Sequence, residues 1–248
     1  MRDRVQKALI SMPKSNPFRW RQYEPKIILL CVRWYLTYSL SYRQVAEMVN
    51  ERGLDVHHST IYRWVQQYGP ELDKRCRRPH LRPTNDSWRV DETYLKIKGK
   101  DRYLYQAVDS QGKTIDFLLT VHRDAEAAKR FLCKALKAVY NQEPRVINVD
   151  KNAAYPKAID ALKEKKQLSE VVELRQNKYL NNRIEQDHRF IKWLVKPGRG
   201  FKSFNTARRT IKGYEILHMM KKGQIEKVEK GAVRERIKFI AEVFGVAA

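Results

Sequence analysis

Apolar positions in the first quarter of the chain recur at helical spacing. Ile27, Leu30, Cys31, Trp34 and Tyr35 fall at i, i+3, i+4, i+7 and i+8, the stripe of one helix face. Ser41 stands where an N-cap belongs, and Val45, Met48 and Val49 mark a second, short helix behind it. Arg52-Gly53-Leu54 reads as a stop and turn. His58-Ser59-Thr60 opens a third helix, with Ile61, Trp64 and Val65 as its apolar stripe and Tyr68-Gly69-Pro70 as its end. Three short helices, the last two joined by a glycine-bearing turn, predict a helix-turn-helix over residues 26–71. The exposed face of its third helix would carry Thr60, Arg63, Gln66 and Gln67, side chains able to reach base edges or phosphates. A small helical bundle with an ordinary polar face fits the same pattern.

Residues 1–25 are polar and basic, contain Pro13, Pro17 and Pro25, and show no period, so they read as an arm. Residues 72–85 read as a basic linker: Lys74, Arg75, Arg77, Arg78 and Arg82 surround Pro79 and Pro83, two helix breakers. Such a segment is either a solvated spacer or a strap that tracks phosphates. After it the period becomes strand-like. Trp88 to Ile97, Arg102 to Val108 and Thr114 to Val121 form three strands joined by short loops, an antiparallel meander. Asp124 caps a helix with Ala127, Ala128, Phe131, Leu132, Ala135 and Leu136 on its apolar side. Val146 to Val149 is a short buried strand. A helix around Ala158 to Lys165, a strand over Val171 to Leu174 and a helix from Asn182 towards Lys196 follow. This βββαβαβα order predicts an α/β domain over residues 86–200, an RNase H-like mixed sheet flanked by helices. Residues 201–248 are basic and helical.

The balance of charge narrows the function classes. The 248 residues carry 51 Lys and Arg against 28 Asp and Glu, a net charge of +23. So large an excess repels itself in a compact state unless a polyanion neutralises it, and nucleic acid is the default partner. No apolar run approaches the roughly 20 residues of a transmembrane helix. Cys31, Cys76 and Cys133 form no C-x-x-C pair, which argues against a zinc finger or a secreted disulfide framework and for a reducing, cytoplasmic setting.

Against this basic background, three carboxylates occupy apolar settings. Alternation along the first strand puts Asp91, Thr93, Leu95 and Ile97 on one face, where a carboxylate is costly unless paired or bound to metal. Asp150 ends the apolar run Val146 to Val149, at the carboxyl end of a strand, where open α/β sheets place their ligands. Glu185 lies in the first turns of the last core helix, with His188 and Lys192 at i+3 and i+7 on nearly the same face. If the fold brings the three together they form an all-oxygen site suited to Mg²⁺ or Mn²⁺, and two such ions about 3.5–4 Å apart would clamp a scissile phosphate. Singly, each has a plainer role: Asp91 pairing with a linker arginine, Asp150 capping the next helix, Glu185 pairing with Arg189. His188 is either a contact at the site or a surface histidine beside Asp187, and Trp193, Tyr103 and Tyr105 read as core.

Several segments are similar to known ones. Asp91-Glu92-Thr93-Tyr94, with Lys96 and Gly99 following, resembles the first catalytic segment of bacterial insertion-sequence transposases with a DDE triad, most closely the insertion-sequence-six family. Asp150 after Val146 to Val149 resembles the second segment. Tyr179 to Arg189 resembles the third, with 34 residues between Asp150 and Glu185. His58 to Val65 looks like the family's helix-turn-helix signature, and Gly200-Phe201-Lys202-Ser203 and Thr210-Ile211-Lys212-Gly213 resemble its C-terminal segments. The resemblance implies a DDE transposase with two Mg²⁺ or Mn²⁺ ions held by Asp91, Asp150 and Glu185. It also implies double-stranded DNA substrates, the terminal inverted repeats and a target, and 3′-OH strand transfer that yields cointegrates.

Lys192 matches the basic position that holds DNA near such a site. The expected DNA contacts are Thr60, Arg63 and Gln66 on the third helix, Arg75, Arg77 and Arg78 in the linker, His188 and Lys192 on the last core helix, and Lys202 beyond it. Both transposon ends must be held together, so a homodimer or larger assembly on DNA is expected, in the cytoplasm at the nucleoid. Two other readings remain: a non-catalytic helix-turn-helix regulator, and an RNase H-like nuclease that cleaves without joining.

Overall fold

A computed structural model of the chain describes residues 17–19, 21–177 and 182–247. Three helices come first: α1 (Pro25–Thr37), α2 (Tyr42–Asn50) and α3 (His58–His80). Ser41 caps α2 as its sequence position suggests. Its side chain accepts from the Gln44 backbone N–H, and the Gln44 side chain accepts from the Ser41 N–H, a reciprocal box that satisfies two free donors. The buried face of α1 is Ile28, Leu29, Cys31, Val32, Tyr35 and Leu36, while Ile27, Leu30 and Trp34 are half-buried. The helix is apolar almost all round, so its own period does not select between neighbouring stripes; the helices packed on it do.

The third helix corrects the sequence reading. It does not end at Tyr68-Gly69-Pro70 but continues to His80 through both Pro70 and Pro79. Residues 72–80, expected in a linker, are therefore helical. Pro70 has no N–H to offer the Gln66 carbonyl. Arg209 Nε donates to that carbonyl instead, at 2.8 Å. Burial compensates further: Leu72 and Cys76 continue the stripe of Ile61, Val65 and Tyr68 at steps of three and four and are 3% and 0% exposed. The expected N-terminal arm is also packed at its described end, where the Phe18 ring stacks on Tyr68 at 5.0 Å.

The sheet is built from β1 (Ser87–Ile97), β2 (Lys100–Asp109), β3 (Thr114–Thr120), β4 (Val146–Val149) and β5 (Glu173–Gln176). Their order is β3-β2-β1-β4-β5, antiparallel among the first three and parallel from β1 through β4 to β5. This is the mixed RNase H-like sheet the element order predicts. Helices α4 (Ala125–Leu136) and α5 (Ala154–Glu164) cover one face, over Trp88, Val90, Tyr105 and Ile115. Asp124 caps α4 by accepting from the Ala127 N–H at 2.7 Å.

Helices α6 (Asn182–Val195) and α7 (Phe204–Lys221) cover the other face, over Leu95, Ile97, Leu104, Phe117 and Leu119. That second core runs without a break into α1, α2 and α3 and the last helix, α8 (Val233–Phe244). Helix α7 is the shared wall. It meets α3 so closely that a Cβ on Gly213 would lie 3.2 Å from the Gly69 Cα and 2.7 Å from a Leu36 methyl. Among the described residues no helix is long and apolar enough to cross a membrane.

Candidate active site

Parallel β4 pairs with β1 only over Ser87 to Arg89. From Val90 to Leu95 that edge of β1 has no strand partner, until Phe201 bonds Lys96 and Lys98, and this gap is the cleft at which its two faces meet. Asp91 lies on the α6 face and Glu92 on the α5 face, while Asp150 immediately follows β4 across the gap. Oxygen atoms of Asp91, Glu92 and Asp150 all lie within 4.8 Å of one another.

The electrostatics of this cluster are those of crowded carboxylates. Burial pushes the Asp91 carboxyl up to about 7, and the nearby Glu92 and Asp150 charges push the same way; the Glu92 N–H, donating to Asp91 Oδ1 at 2.8 Å, and Arg123 oppose them. Arg123 is the balancing cation. Its guanidinium pairs with Glu92 and lies 3.7 Å from Asp150 Oδ2. Glu92 is engaged at both oxygens: Oε1 also accepts from Asn152 Nδ2 at 3.2 Å, and Oε2 accepts from the Tyr155 hydroxyl. Burial beside that carboxylate raises the Tyr155 phenol well above its ordinary range, so it stays protonated. Asp150 Oδ1 accepts from the Asn152 N–H at 3.0 Å, which shapes the turn after β4.

Of the three expected carboxylates the structure brings two together, Asp91 and Asp150. Glu185 is not in the cluster. It lies in the first turn of α6, half exposed, with Arg189 Nη2 3.6 Å from its Oε2. A further carboxylate among three already crowded ones would add repulsion, and Arg189 offers it a charge partner instead. The helix itself does reach the cleft, because His188 Nδ1 is 3.9 Å from Asp91 Oδ2. His188 is 8% exposed, which overturns the surface reading, and burial lowers its imidazole to about 4, leaving it neutral. Tyr179, Leu180 and Asn181, expected to lead into this helix, lie outside the described residues.

The expected DNA contacts divide. Arg63, Lys192 and Lys202 are exposed and Thr60 is half-buried. Lys192 Nζ rests 4.6 Å from the centre of the exposed Tyr94 ring, on β1 two residues beyond Glu92. Gln66 is turned inward, donating to Thr210 Oγ1 on α7 at 2.8 Å, and Gln67 accepts from Arg21. Arg75 and Arg77 are not free for phosphate. Arg75 pairs with Glu71 at 2.7 Å and donates to the Val243 carbonyl; Arg77 pairs with Asp73 at 2.7 Å and lies 3.6 Å from the buried Asp116. The side chain of Arg78 lies outside the described residues. Trp193, expected in the core, is 47% exposed, whereas Tyr105 is buried as expected.

Sequence reasoning missed Glu92, Arg123 and Asn152. Glu92 and Asn152 sit one and two positions from expected ligands, a signal that was available. Arg123, in the loop before α4, carried none.

The chain is similar to known proteins. A family model described as a DDE domain matches residues 85–224. The chain is 42% identical over 211 residues to the transposase for insertion sequence-like element IS431mec of Staphylococcus aureus strain Mu50, covering 84% of this chain and 89% of that one. It is 41% identical, over the same shares, to the transposase for insertion sequence element IS257 in transposon Tn4003 of Staphylococcus aureus. Among solved structures, the HTLV-2 integrase catalytic core domain in complex with magnesium aligns over 53% of this chain and 84% of its own, at 15% identity and a TM-score of 0.40. By the family match and by its likeness to these transposases along most of its length, the chain belongs to the DDE transposases of the insertion-sequence-six family.

Proposed function

We propose that the protein is a DNA transposase that binds the terminal inverted repeats of an insertion sequence, cleaves the DNA strand at its end and transfers the 3′-OH to target DNA. The observation that supports this most directly is the meeting of Asp91 and Asp150 at the open edge of β1, with α6, the helix of Glu185, touching Asp91 through His188. The donor set fits a hard divalent cation. It is all oxygen, burial and the neighbouring carboxylates hold Asp91 partly protonated near neutral pH, and the only cation balancing it among the described residues is Arg123.

Asp91 and Asp150 would hold Mg²⁺ or Mn²⁺, with Glu185 as the third ligand once its side chain leaves Arg189. Two such ions would neutralise charge at the scissile phosphate and lower the pKa of the attacking hydroxyl. The chain's own groups do the rest. Glu92, through Asn152 and Arg123, shapes the Asp150 turn. Lys192 and Lys202 face the backbone of the DNA end, and Thr60 and Arg63 face a groove. Tyr155 is buried against Glu92 and unavailable as a nucleophile, in keeping with direct transfer and no covalent protein–DNA intermediate.

The test is transposition from a supercoiled plasmid by Asp150→Asn. Cleavage and joining should be lost while binding to the ends persists. Joining that survives in a folded, DNA-binding variant would remove the carboxylate assignment, and end binding with neither cleavage nor joining by the unaltered protein would favour the regulator reading. Cleaved but unjoined products from the unaltered protein would favour the nuclease.

A further inference from the structure

Helix α6 carries Glu185 on one side and Asp187 on nearly the opposite one, since each residue turns the helix by about 100°. Asp187 is 3% exposed and doubly held. Its Oδ1 accepts from His218 Nε2 at 3.0 Å, and its Oδ2 pairs with Lys222 Nζ. Lys222 in turn donates to Thr114 Oγ1 on β3 at 3.0 Å, and the His218 ring stacks on Phe190 of α6 at 4.0 Å. The end of α7 and the start of β3 thus clasp α6 from behind.

A buried ion pair returns little net stability, because desolvating its charges offsets their attraction. What it fixes is geometry. His188, the next residue along, meets Asp91 at 3.9 Å. Glu185 lies three residues before His188, on the same face and about 4.5 Å along the axis. A rotation of α6 that opened the Asp187 clasp would carry His188 away from Asp91 and Glu185 away from the cleft.

We propose that Asp187, held by His218 and Lys222, is a positioning residue: it sets the rotation of α6 and with it the ability of Glu185 to complete the carboxylate site. The proposal rests on the transposase reading above. It predicts an effect on metal affinity from a side chain that faces away from the metal.

The test uses the full chain bound to an oligonucleotide end. Mn²⁺ binding is followed by electron paramagnetic resonance, alongside the Mn²⁺ dependence of cleavage. Asp187→Asn should bind Mn²⁺ about 10-fold or more weakly and need correspondingly more Mn²⁺ for half-maximal cleavage. Turnover at saturating Mn²⁺ should recover and end binding should stay unchanged. His218→Phe keeps the stack on Phe190 and removes one bond to Asp187, so it carries the test if Asp187→Asn does not fold; it should shift Mn²⁺ affinity in the same direction by less. Folded variants with Mn²⁺ affinity equal to the unaltered protein overturn the proposal, whatever their thermal stability. Asp150→Asn run in parallel separates the two levels. If it too binds Mn²⁺ normally, the transposase site itself is misplaced and the proposal falls with it; if it alone loses Mn²⁺, only the role of Asp187 is wrong.

Discussion

Glu215 on α7 offers a sharp test of how the buried polar layer beneath α6 is wired. Its side chain is fully buried, and Gln106 Nε2 on β2 donates to its Oε1 at 2.5 Å. The other two atoms of that pair, Glu215 Oε2 and Gln106 Oε1, have no partner among the described residues. A proton on Oε2 resolves both, since the acid then donates to the amide oxygen and the two groups close a ring of two hydrogen bonds. Burial, reinforced by the charge of Asp187, raises the Glu215 carboxyl from its usual 4.5 to about 8.

The consequence for stability has a definite sign. Between those two values the unfolded chain has released this proton and the native chain retains it, so stability falls as pH rises across the window and levels above it. Each pH unit is worth about 1.4 kcal/mol, so going from pH 5.5 to 7.5 costs the native protein about 2.7 kcal/mol through this one group. Glu215→Gln keeps the shape and both hydrogen bonds and removes the titration. Its thermal midpoint should therefore gain on that of the unaltered protein by about 5–11 °C between pH 5.5 and 7.5. Scanning calorimetry at several pH values measures the difference, in which groups common to both chains cancel. Parallel midpoint curves would show that Glu215 is ionised in the native state and refute the reasoning.

Two further outcomes follow from the packing. Gly213→Ala places a methyl 2.7 and 2.8 Å from the two Leu36 methyls, in a core where Leu36 is fully buried, and should cost about 1–3 kcal/mol by thermal denaturation. Arg63→Ala and Arg77→Ala should separate recognition from architecture. The first should weaken binding to the ends by about 1–3 kcal/mol in a mobility-shift titration with little change in stability. The second should leave the salt slope of DNA binding unchanged and destabilise the fold by about 3 kcal/mol, because it strands the buried Asp73 and leaves Asp116 to Lys134 alone.

What the sequence made legible was local. The strands of the meander announce themselves by alternation, Ser41 and Asp124 by their capping position, and Asp91 and Asp150 by being acidic where their neighbours are apolar. What it hid depends on contacts between distant residues. Pro70 is a helix breaker by every local rule, and the group that relieves it, Arg209, lies far along the chain. The basic run of 72–85 reads as a solvated spacer or a phosphate strap, although Glu71 and Asp73 stand four residues before Arg75 and Arg77, the spacing of helical ion pairs. Glu92 is hidden by alternation, which puts it on the face opposite Asp91. Only the short pairing of β4 with β1 leaves an edge at which both faces converge.

The length of α3 bears on function as much as on fold. A flexible linker of 14 residues would leave recognition and chemistry separated by a distribution of distances about 20 Å wide. Helix α3 instead continues past Thr60 and Arg63 and packs along α7, through Gln66, Gly69 and the carbonyl that Arg209 satisfies. The far end of α7 grips Asp187 on α6, the helix that reaches Asp91. On the transposase reading, a DNA end seated against Arg63 is placed relative to the carboxylates by two helices packed in one core rather than by a tether. Orientation fixed in the fold does not have to be found again on each encounter, and pre-set geometry of this kind is where enzymes acting on large, rigid substrates recover much of their rate.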